Sequence, residues 1–137
     1  MIYIFDASFV GSLVIPDEKK SQIKNLVKKI KNEDEKYSPE LLWYEVTNIF
    51  RNLILRKRYT AEEVSLFFQY AADLGIKIIY GVNINYSKKI WDLCNTYNLS
   101  AYDAAYLELA DRKKAILCTL DDDLINAAKK HGVKTIE

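Results

Sequence analysis

The feature that most constrains this chain is a short apolar run, Ile2 to Phe5, that ends at the carboxylate of Asp6. A continuous apolar run of this length is typical of a strand buried on both faces, as in a parallel sheet covered by helices. Such sheets bind their ligands just outside the carboxyl ends of the strands, which is where Asp6 would lie. Asp6 could equally be the cap of a helix that begins near Ser8.

Length and composition predict one compact, helix-rich domain over residues 1–137. Half of the residues are hydrophobic, and there are only four glycines and two prolines, which favours short connections. The sequence has no run of about 18 apolar residues and no basic, cleavable leader, so we expect a cytoplasmic protein with no membrane partner. Cys94 and Cys118 stand in apolar contexts and are expected to be reduced core residues.

Hydrophobic periodicity and turn signals predict strands that alternate with helices. The predicted strands are 2–5, 37–38, 76–80, 115–118 and 133–136. The predicted helices are 8–15, 17–31, 39–57, 60–73, about 83–97, 101–110 and one ending near Lys130. This alternation predicts an α/β fold, a three-layer sandwich with a central, mostly parallel sheet of about five strands flanked by helices.

The helix predicted over 39–57 carries one acid on its apolar stripe. Glu45 falls between Leu42 and Ile49 in that stripe, and a carboxylate facing the core is costly unless it is paired or bound to a cation. Asn48 shares this face and could hydrogen-bond it. The structural alternative is a salt bridge to a neighbouring lysine or arginine.

A second acid begins the helix predicted over 101–110. Asp103 lies in its first turn, where it could simply favour the helix dipole. Ala104 and Ala105 would let this helix pack close to the sheet, however, and so carry Asp103 to the strand ends.

The strand predicted over 115–118 also runs into acid. Thr119 and Leu120 lead from it to three consecutive aspartates, Asp121 to Asp123. At least one of the three should cap the helix that follows, and Asp121 follows the strand most directly.

Two strand ends and two helix starts or faces can therefore bring four acids to one edge: Asp6, Glu45, Asp103 and Asp121. Unpaired carboxylates in one cleft would repel each other and raise their own pKa values. Divalent cations remove that repulsion, and a ligand set of oxygen atoms alone favours Mg²⁺ or Mn²⁺ over zinc. Such a site supports hydrolysis of phosphodiester bonds by metal-activated water.

Other chemistries lack the residues that they need. The chain has one histidine, His131, which we expect near a helix end, so multi-histidine zinc sites and two-histidine acid–base catalysis are excluded. No nucleophile elbow accompanies it for a Ser-His-Asp triad. No glycine-rich loop follows the first strand, which argues against that mode of nucleotide binding.

The net charge of +1 is unevenly distributed. Basic residues cluster in three segments: Lys19, Lys20, Lys24, Lys28, Lys29 and Lys31; Arg51, Arg56, Lys57 and Arg58; and Arg112, Lys113 and Lys114. A basic surface around an acidic cleft suits a polyanion. The alternative is that these side chains only solvate helix faces.

The sequence resembles the PIN domain family over its whole length, and specifically the small VapC-type toxins of toxin–antitoxin systems. The segments that carry the resemblance are Phe5 to Ser8, Pro39 to Asn48, Leu99 to Ala104 and Thr119 to Asp121. It implies a ribonuclease dependent on Mg²⁺ or Mn²⁺, whose four acids match Asp6, Glu45, Asp103 and Asp121. Supporting polar positions match Ser8, Asn48 and Thr119, and an additional acid in some members matches Asp123.

The resemblance also implies an RNA substrate, a homodimer, and a cognate antitoxin protein that occludes the cleft, often by inserting a basic residue among the acids. One departure is Asp122-Asp123, where many relatives carry basic residues. We expect Asp6 and Asp103 to hold the principal metal, Glu45 to orient a water or accept its proton, and Asp121 to complete the site. Ser8 and Thr119 would support the carboxylates, and Tyr44 and Tyr102 could stack bases.

Parts of the same pattern are compatible with three other functions. An aspartate-nucleophile phosphatase normally has a second aspartate two positions after the first, where this chain has Ser8. A phospho-accepting receiver domain needs a pair of acids at the first strand and an acceptor at the third, and the third predicted strand here ends at Ile78-Ile79-Tyr80 without one. A non-catalytic PIN-fold subunit that binds RNA or joins a ribonucleoprotein is the main alternative, and the presence of all four acids counts against it.

Overall fold

The computed structural model describes residues 1–18 and 21–136. The strands are β1 Ile2–Phe5, β2 Glu35–Pro39, β3 Lys77–Ile79 and β4 Ile116–Cys118. The helices are α1 Ala7–Val14, α2 Ser21–Val27, α3 Leu42–Leu55, α4 Ala61–Asp73, α5 Ile84–Tyr97, α6 Ala101–Arg112 and α7 Asp122–His131, with a 3₁₀ turn over Pro16–Glu18. None of the helices described is long and apolar enough to cross a membrane.

The four strands form one parallel sheet in the order β3-β2-β1-β4. β1 is central because it pairs with β2 on one side and β4 on the other, with Phe5 opposite Cys118. The near-continuous apolar sequence of β1 suits this position, since a central strand covered by helices is buried on both faces. The prediction of an α/β fold with a parallel sheet is confirmed.

The two faces of the sheet support separate hydrophobic clusters, which makes the molecule a three-layer sandwich. Tyr3 and Phe5 point to one face and pack with α1, α3 and α4. Ile2 and Ile4 point to the other and pack with α5, α6 and α7. This period-two alternation along β1 is what divides the core in two.

The predicted fifth strand, 133–136, was wrong as a strand. The segment makes one isolated parallel bridge, Leu117 to Thr135, with hydrogen bonds between Leu117 and the backbone of Lys134 and Ile136. β4 is only three residues long, so the segment after α7 finds a single residue to pair with. The sheet therefore has four strands rather than about five.

Several predicted boundaries also moved. The helix expected from 39 begins at Leu42, because Ser38 and Pro39 extend β2 instead and pair with β3. The predicted helix over 17–31 is shorter, with α2 ending at Val27; Lys19 and Lys20 lie outside the described residues. Both cysteines are free; Cys118 is buried, as expected, whereas Cys94 is only partly buried.

Side-chain caps fix where the helices begin beside the sheet. Asp6 caps α1, which starts directly after β1, and Asp121 caps α7, which follows β4 after Thr119 and Leu120. Ser100 caps α6, and α6 packs against β1 and β2 through a face that includes the buried Ala104. The carboxyl edge of the sheet is therefore surrounded by helix N-termini.

Substitution of Phe50 tests the packing of the hydrophobic cluster that includes α3 and α4. Phe50 is 1% exposed, and its ring meets Phe68 edge-on at a centroid distance of 4.7 Å. Phe50→Ala should lower the free energy of unfolding by about 3–5 kcal/mol, because it removes a large buried side chain and leaves a cavity. Urea unfolding followed by circular dichroism measures the change.

Phe68→Ala is the matched control, since Phe68 belongs to the same ring contact but is 41% exposed. Its loss should not exceed about 1.5 kcal/mol. Equal losses for the two variants would contradict the assignment of Phe50 to the core.

Candidate active site

Asp6 is the centre of a hydrogen-bonded network at the carboxyl edge of the sheet. Its backbone N–H donates to the carbonyl of Cys118 at 3.1 Å, which places it beside the end of β4. One carboxylate oxygen accepts from the Ser8 hydroxyl at 2.7 Å and from the Phe9 N–H at 2.8 Å, and the other accepts from the Thr119 hydroxyl. Asp6 is thus both the cap of α1 and a buried carboxylate joining two strand ends.

Burial raises the pKa of Asp6 from its ordinary value of 3.8 to about 6. The hydrogen bonds from Thr119, Phe9 and Ser8 lower that pKa, and the charge of Glu45 raises it further. The burial effect wins, because a carboxylate in a low-dielectric interior loses more hydration than three donors replace.

Glu45 lies in the first turn of α3, half-buried. One of its oxygens accepts a hydrogen bond from the Tyr106 hydroxyl at 2.7 Å, so the partner it has is a neutral phenol rather than the lysine or arginine considered above. Burial raises the pKa of Glu45, as does the charge of Asp103, while the Tyr106 bond lowers it. Asn48, expected as a possible partner, is exposed on α3.

Tyr106 was not among the site residues predicted from the sequence. Its side chain is fully buried, and it follows Asp103 by three positions on α6, so the two lie on neighbouring turns of one helix face. Burial raises the pKa of Tyr106, and the hydrogen bond to Glu45 raises it further, which keeps the hydroxyl protonated as a donor. The three-residue spacing from an acid was the signal that could have found it.

Asp103 is half-buried in the first turn of α6, where its N–H donates to the Ser100 hydroxyl at 3.1 Å. Burial raises its pKa, and the charges of Asp121 and Asp123 raise it further, against the lowering by Ser100. Its neighbours are therefore acids, and the helix N-terminus alone does not offset them.

Asp121 and Asp123 lie at the more exposed end of the site. Asp121 caps α7 by accepting from the Leu124 N–H at 3.1 Å, and its own N–H donates to the Thr119 hydroxyl at 3.1 Å. Asp123 is exposed in the first turn of α7. The expectation that one of the three aspartates caps this helix is met by Asp121.

The supporting hydroxyls each bridge two groups. Ser8 donates to Asp6 and accepts from the Leu120 N–H at 3.1 Å. Thr119 donates to Asp6 and accepts from the Asp121 N–H. The first turn of α1 and the segment after β4 are therefore joined through the Asp6 carboxylate and the Ser8 hydroxyl.

The acids interact as a chain of neighbours rather than as one compact cluster. Asp6 is repelled by Glu45, Glu45 by Asp103, and Asp103 by Asp121 and Asp123. Among the residues described, no three acids, histidines or cysteines lie close enough together to hold a metal ion in this conformation. The donor chemistry and the mutual repulsion nonetheless fit a hard divalent cation, which binds carboxylate oxygens and offsets like charges.

His131 takes no part in this site. It ends α7, as expected, and its ring nitrogens lie 2.7 Å from the Tyr97 hydroxyl and 3.3 Å from an Asp111 oxygen. These contacts join the C-terminal ends of α5, α6 and α7, away from the acids, so the chemistry at the sheet edge is carboxylate chemistry.

Solved structures with the same fold include proteins of toxin–antitoxin systems. A protein from Pyrobaculum aerophilum is 19% identical with a TM-score of 0.72, over 98% of this chain and 83% of that one. VapBC2 from Rickettsia felis, bound to a DNA fragment from their promoter, is 12% identical with a TM-score of 0.67, over 98% of this chain and 97% of that one. A toxin–antitoxin complex from Klebsiella pneumoniae is 14% identical with a TM-score of 0.60, over 90% of this chain and 89% of that one.

At these identities the likeness establishes the fold. The comparison with curated proteins gave no match. The family model described as "PIN domain", however, matches residues 3–130. Since that span covers nearly all of the sequence, including all four acids at the sheet edge, the chain belongs to the PIN domain family.

Proposed function

We propose that this protein is a ribonuclease, dependent on Mg²⁺ or Mn²⁺, that hydrolyses phosphodiester bonds in RNA. The observation that carries the proposal is a set of partly buried acids at the edge of the sheet: burial first, and then the charge of a neighbouring acid, raises the pKa values of Asp6, Glu45 and Asp103. Such an arrangement is unfavourable in the protein alone and becomes favourable once divalent cations bind the carboxylates, which then also attract a phosphate. Nuclease activity is the general property of PIN domains.

Each acid has a proposed role. Asp6 and Asp103 would hold the principal cation. Asp121, with Asp123 beside it, would complete the coordination of that cation, directly or through water. A bound divalent cation would supply a Lewis acid for the phosphate oxygen and lower the pKa of a water. Ser8 and Thr119 keep the Asp6 carboxylate in one orientation, which is the usual part of groups behind a ligand.

Glu45 is the proposed proton acceptor. Its raised pKa makes it a stronger base than an exposed carboxylate, and the Tyr106 hydroxyl occupies one of its oxygens, leaving the other available. Tyr106 would therefore be a positioning residue, which fixes the orientation of Glu45 without touching the substrate.

Basic residues outside the cleft would hold the RNA backbone. Arg51 is exposed in the C-terminal half of α3, the helix whose first turn carries Glu45, and Arg56 and Lys57 are exposed just after the helix ends. These cations would attract the backbone of an RNA strand whose reacting phosphate lies over the acids.

We further propose that the protein is the toxin of a toxin–antitoxin pair and forms a homodimer. The neighbours described as toxin–antitoxin complexes support an antitoxin partner. A depression of about 310 Å³ begins at Ser8, beside Asp6, and extends between α1 and α3 to Arg56. A partner segment bound there would cover the approach to Asp6 and so inhibit the enzyme.

Cleavage of a structured RNA by the purified protein tests the nuclease. With Mg²⁺ or Mn²⁺ the wild type should cut, and Asp103→Asn should reduce the rate at least about 100-fold, because the variant loses a carboxylate of the site. Asp92→Asn, an exposed position on α5, is the matched control and should cut as wild type does. A folded wild type that binds RNA but cuts no substrate with either metal would favour the non-catalytic RNA-binding subunit.

The pH dependence of the free energy of unfolding tests whether Asp6 is a buried carboxylate with a raised pKa. The pKa of Asp6 is higher in the folded chain, about 6, than its ordinary 3.8, so the folded state holds the proton more tightly. Protonation of Asp6 therefore contributes up to about 3 kcal/mol to the free energy of unfolding. That contribution is fully present below about pH 4 and is lost as the pH rises through 6. Urea unfolding with chelator should show wild type losing stability between pH 4.5 and 7.

Asp6→Asn should flatten that slope without abolishing it, because the pKa values of Glu45 and Asp103 are raised in the same direction. Adding Mg²⁺ at pH 7 should stabilise the wild type and leave the variant little changed. Parallel pH profiles for the two proteins would show that Asp6 is not the buried charge described.

Expression in a bacterial host tests the toxin. Wild type should slow growth within one or two generations, whereas Asp103→Asn, expressed to the same level, should not. Asp92→Asn again serves as the control and should be as toxic as wild type. Equal growth of cells expressing wild type and Asp103→Asn would argue against a toxic nuclease.

A further inference from the structure

Gly11, near the middle of the eight-residue helix α1, is a glycine for which the fold gives no steric reason. Its backbone is helical and it is buried. A Cβ at this position would meet Ile15 and Ile49 at 3.8 Å, which is ordinary van der Waals contact. An alanine would therefore fit, and inside a helix an alanine is more favourable than a glycine. The packing of the chain on itself does not explain the missing side chain.

The missing side chain leaves open the floor of the depression between α1 and α3. This depression has a volume of about 310 Å³, and Leu120 at its edge is 41% exposed. We call its central part the Gly11 pocket, which is bounded by Gly11, Ile15, Ile49, Leu53 and Leu120. Four aliphatic side chains around one glycine suit an apolar side chain that enters from outside.

The two ends of the depression carry opposite charges. Ser8 lines one end and is hydrogen-bonded to the Asp6 carboxylate. Arg56 and Arg58 line the other end; Arg56 is exposed, and Arg58 is paired with Asp17 at 2.5 Å. A ligand lying along the depression would therefore meet acid at one end, the apolar pocket in the middle and guanidinium groups at the other end.

The length of the depression corresponds to a short extended peptide. From Ser8 to Ile15 the axis of α1 rises about 10 Å, at about 1.5 Å per residue. An extended chain covers that distance with about three residues, and every second side chain points to the same face. A side chain in the Gly11 pocket therefore has a neighbour two positions away that can reach Arg56.

We propose that the Gly11 pocket receives an apolar side chain of a partner polypeptide, and that Arg56 pairs with a carboxylate two positions away in the same segment. The proposal rests on the inhibitory partner proposed above and specifies the sequence that this partner presents. Recognition would depend on that sequence, since an apolar group and an anion are needed at a fixed separation. Because Arg56 is also proposed to hold RNA, the partner would displace the substrate from it.

An RNA strand fits the depression less well. The aliphatic side chains in its middle offer no hydrogen bond to a phosphate, and the Ser12 hydroxyl beside them already donates to the Phe9 carbonyl at 2.6 Å. A phosphate placed there would lose hydration without compensation. No aromatic ring among the residues described lines the depression to stack on a base. A polypeptide can supply both an apolar group and charges, whereas a nucleic acid is negative along its whole length.

Nuclear magnetic resonance titration of the isotope-labelled protein with synthetic peptides provides the test. The parent peptide carries a glutamate and a leucine two positions apart, and it is made in both chain directions because the depression does not fix one. One direction should bind, with the largest amide shifts at Gly11, Ile15 and Leu53. Replacing its leucine by alanine should weaken binding at least about 10-fold, and replacing its glutamate by glutamine about 2- to 5-fold.

Two results of this titration would overturn the proposal. One is the absence of binding by either direction at millimolar peptide. The other is equal affinity of the parent and both substituted peptides, which would show that neither side chain is recognised.

Gly11→Ala should raise the melting temperature by about 2–4 °C and weaken binding of the parent peptide at least about 5-fold, because the new methyl group occupies the pocket. A residue that served packing alone would not gain stability and lose binding together. Ser65→Ala, at an exposed position of α4, is the matched control and should leave binding unchanged. Unchanged peptide affinity of Gly11→Ala would contradict the pocket.

Arg56→Gln tests the proposed ion pair. It should weaken binding of the parent peptide but not of the peptide that already carries glutamine, because the pair is then absent from both measurements. Arg51→Gln, on α3 outside the depression, is the matched control. Equal losses for the two peptides would show that Arg56 does not pair with this carboxylate.

The same proteins distinguish an RNA occupant and the nuclease itself. Weaker RNA binding by Gly11→Ala in chelator, with no peptide bound by wild type, would assign the depression to the RNA and overturn the proposal. Metal-dependent cleavage is measured separately. Cleavage without peptide binding would contradict the pocket alone, and peptide binding without cleavage would support the pocket and contradict the nuclease.

Discussion

The hydrogen bonds to Asp6 are the interaction on which the rest of the structure depends. Hydroxyls from the ends of two neighbouring strands, Ser8 after β1 and Thr119 after β4, meet at one buried carboxylate. This carboxylate begins α1, joins the loops, and carries a charge that burial makes costly. The same network thus fixes the local backbone and creates the electrostatic condition that a cation would relieve.

The sequence predicted the strand ends better than the helix faces. Asp6 and Asp121 were located correctly because an apolar run that stops at an acid has few alternative structures, and the caps follow from the same residues. Tyr106 was missed because its role depends on a contact with Glu45 that spans 61 positions. The strand at 133–136 was overpredicted, since pairing needs a partner strand long enough to receive it, and β4 is not.

The site divides its acids between two environments, and this division explains how they can act differently. Asp6, Glu45 and Asp103 are at least half-buried and hold their protons more tightly than free carboxylates. Asp121 and Asp123 are exposed at the start of α7. The site therefore has an exposed, hydrated end at the start of α7 and a drier end at Asp6.

The order of the acids along the chain has a consequence for synthesis on the ribosome. Two of them, Asp6 and Glu45, precede the midpoint of the sequence, whereas Asp103 and Asp121 come late. β4, which brings the late pair beside β1, is the last strand of the sheet to be made. The complete set of acids therefore comes together only after β4 has paired with β1.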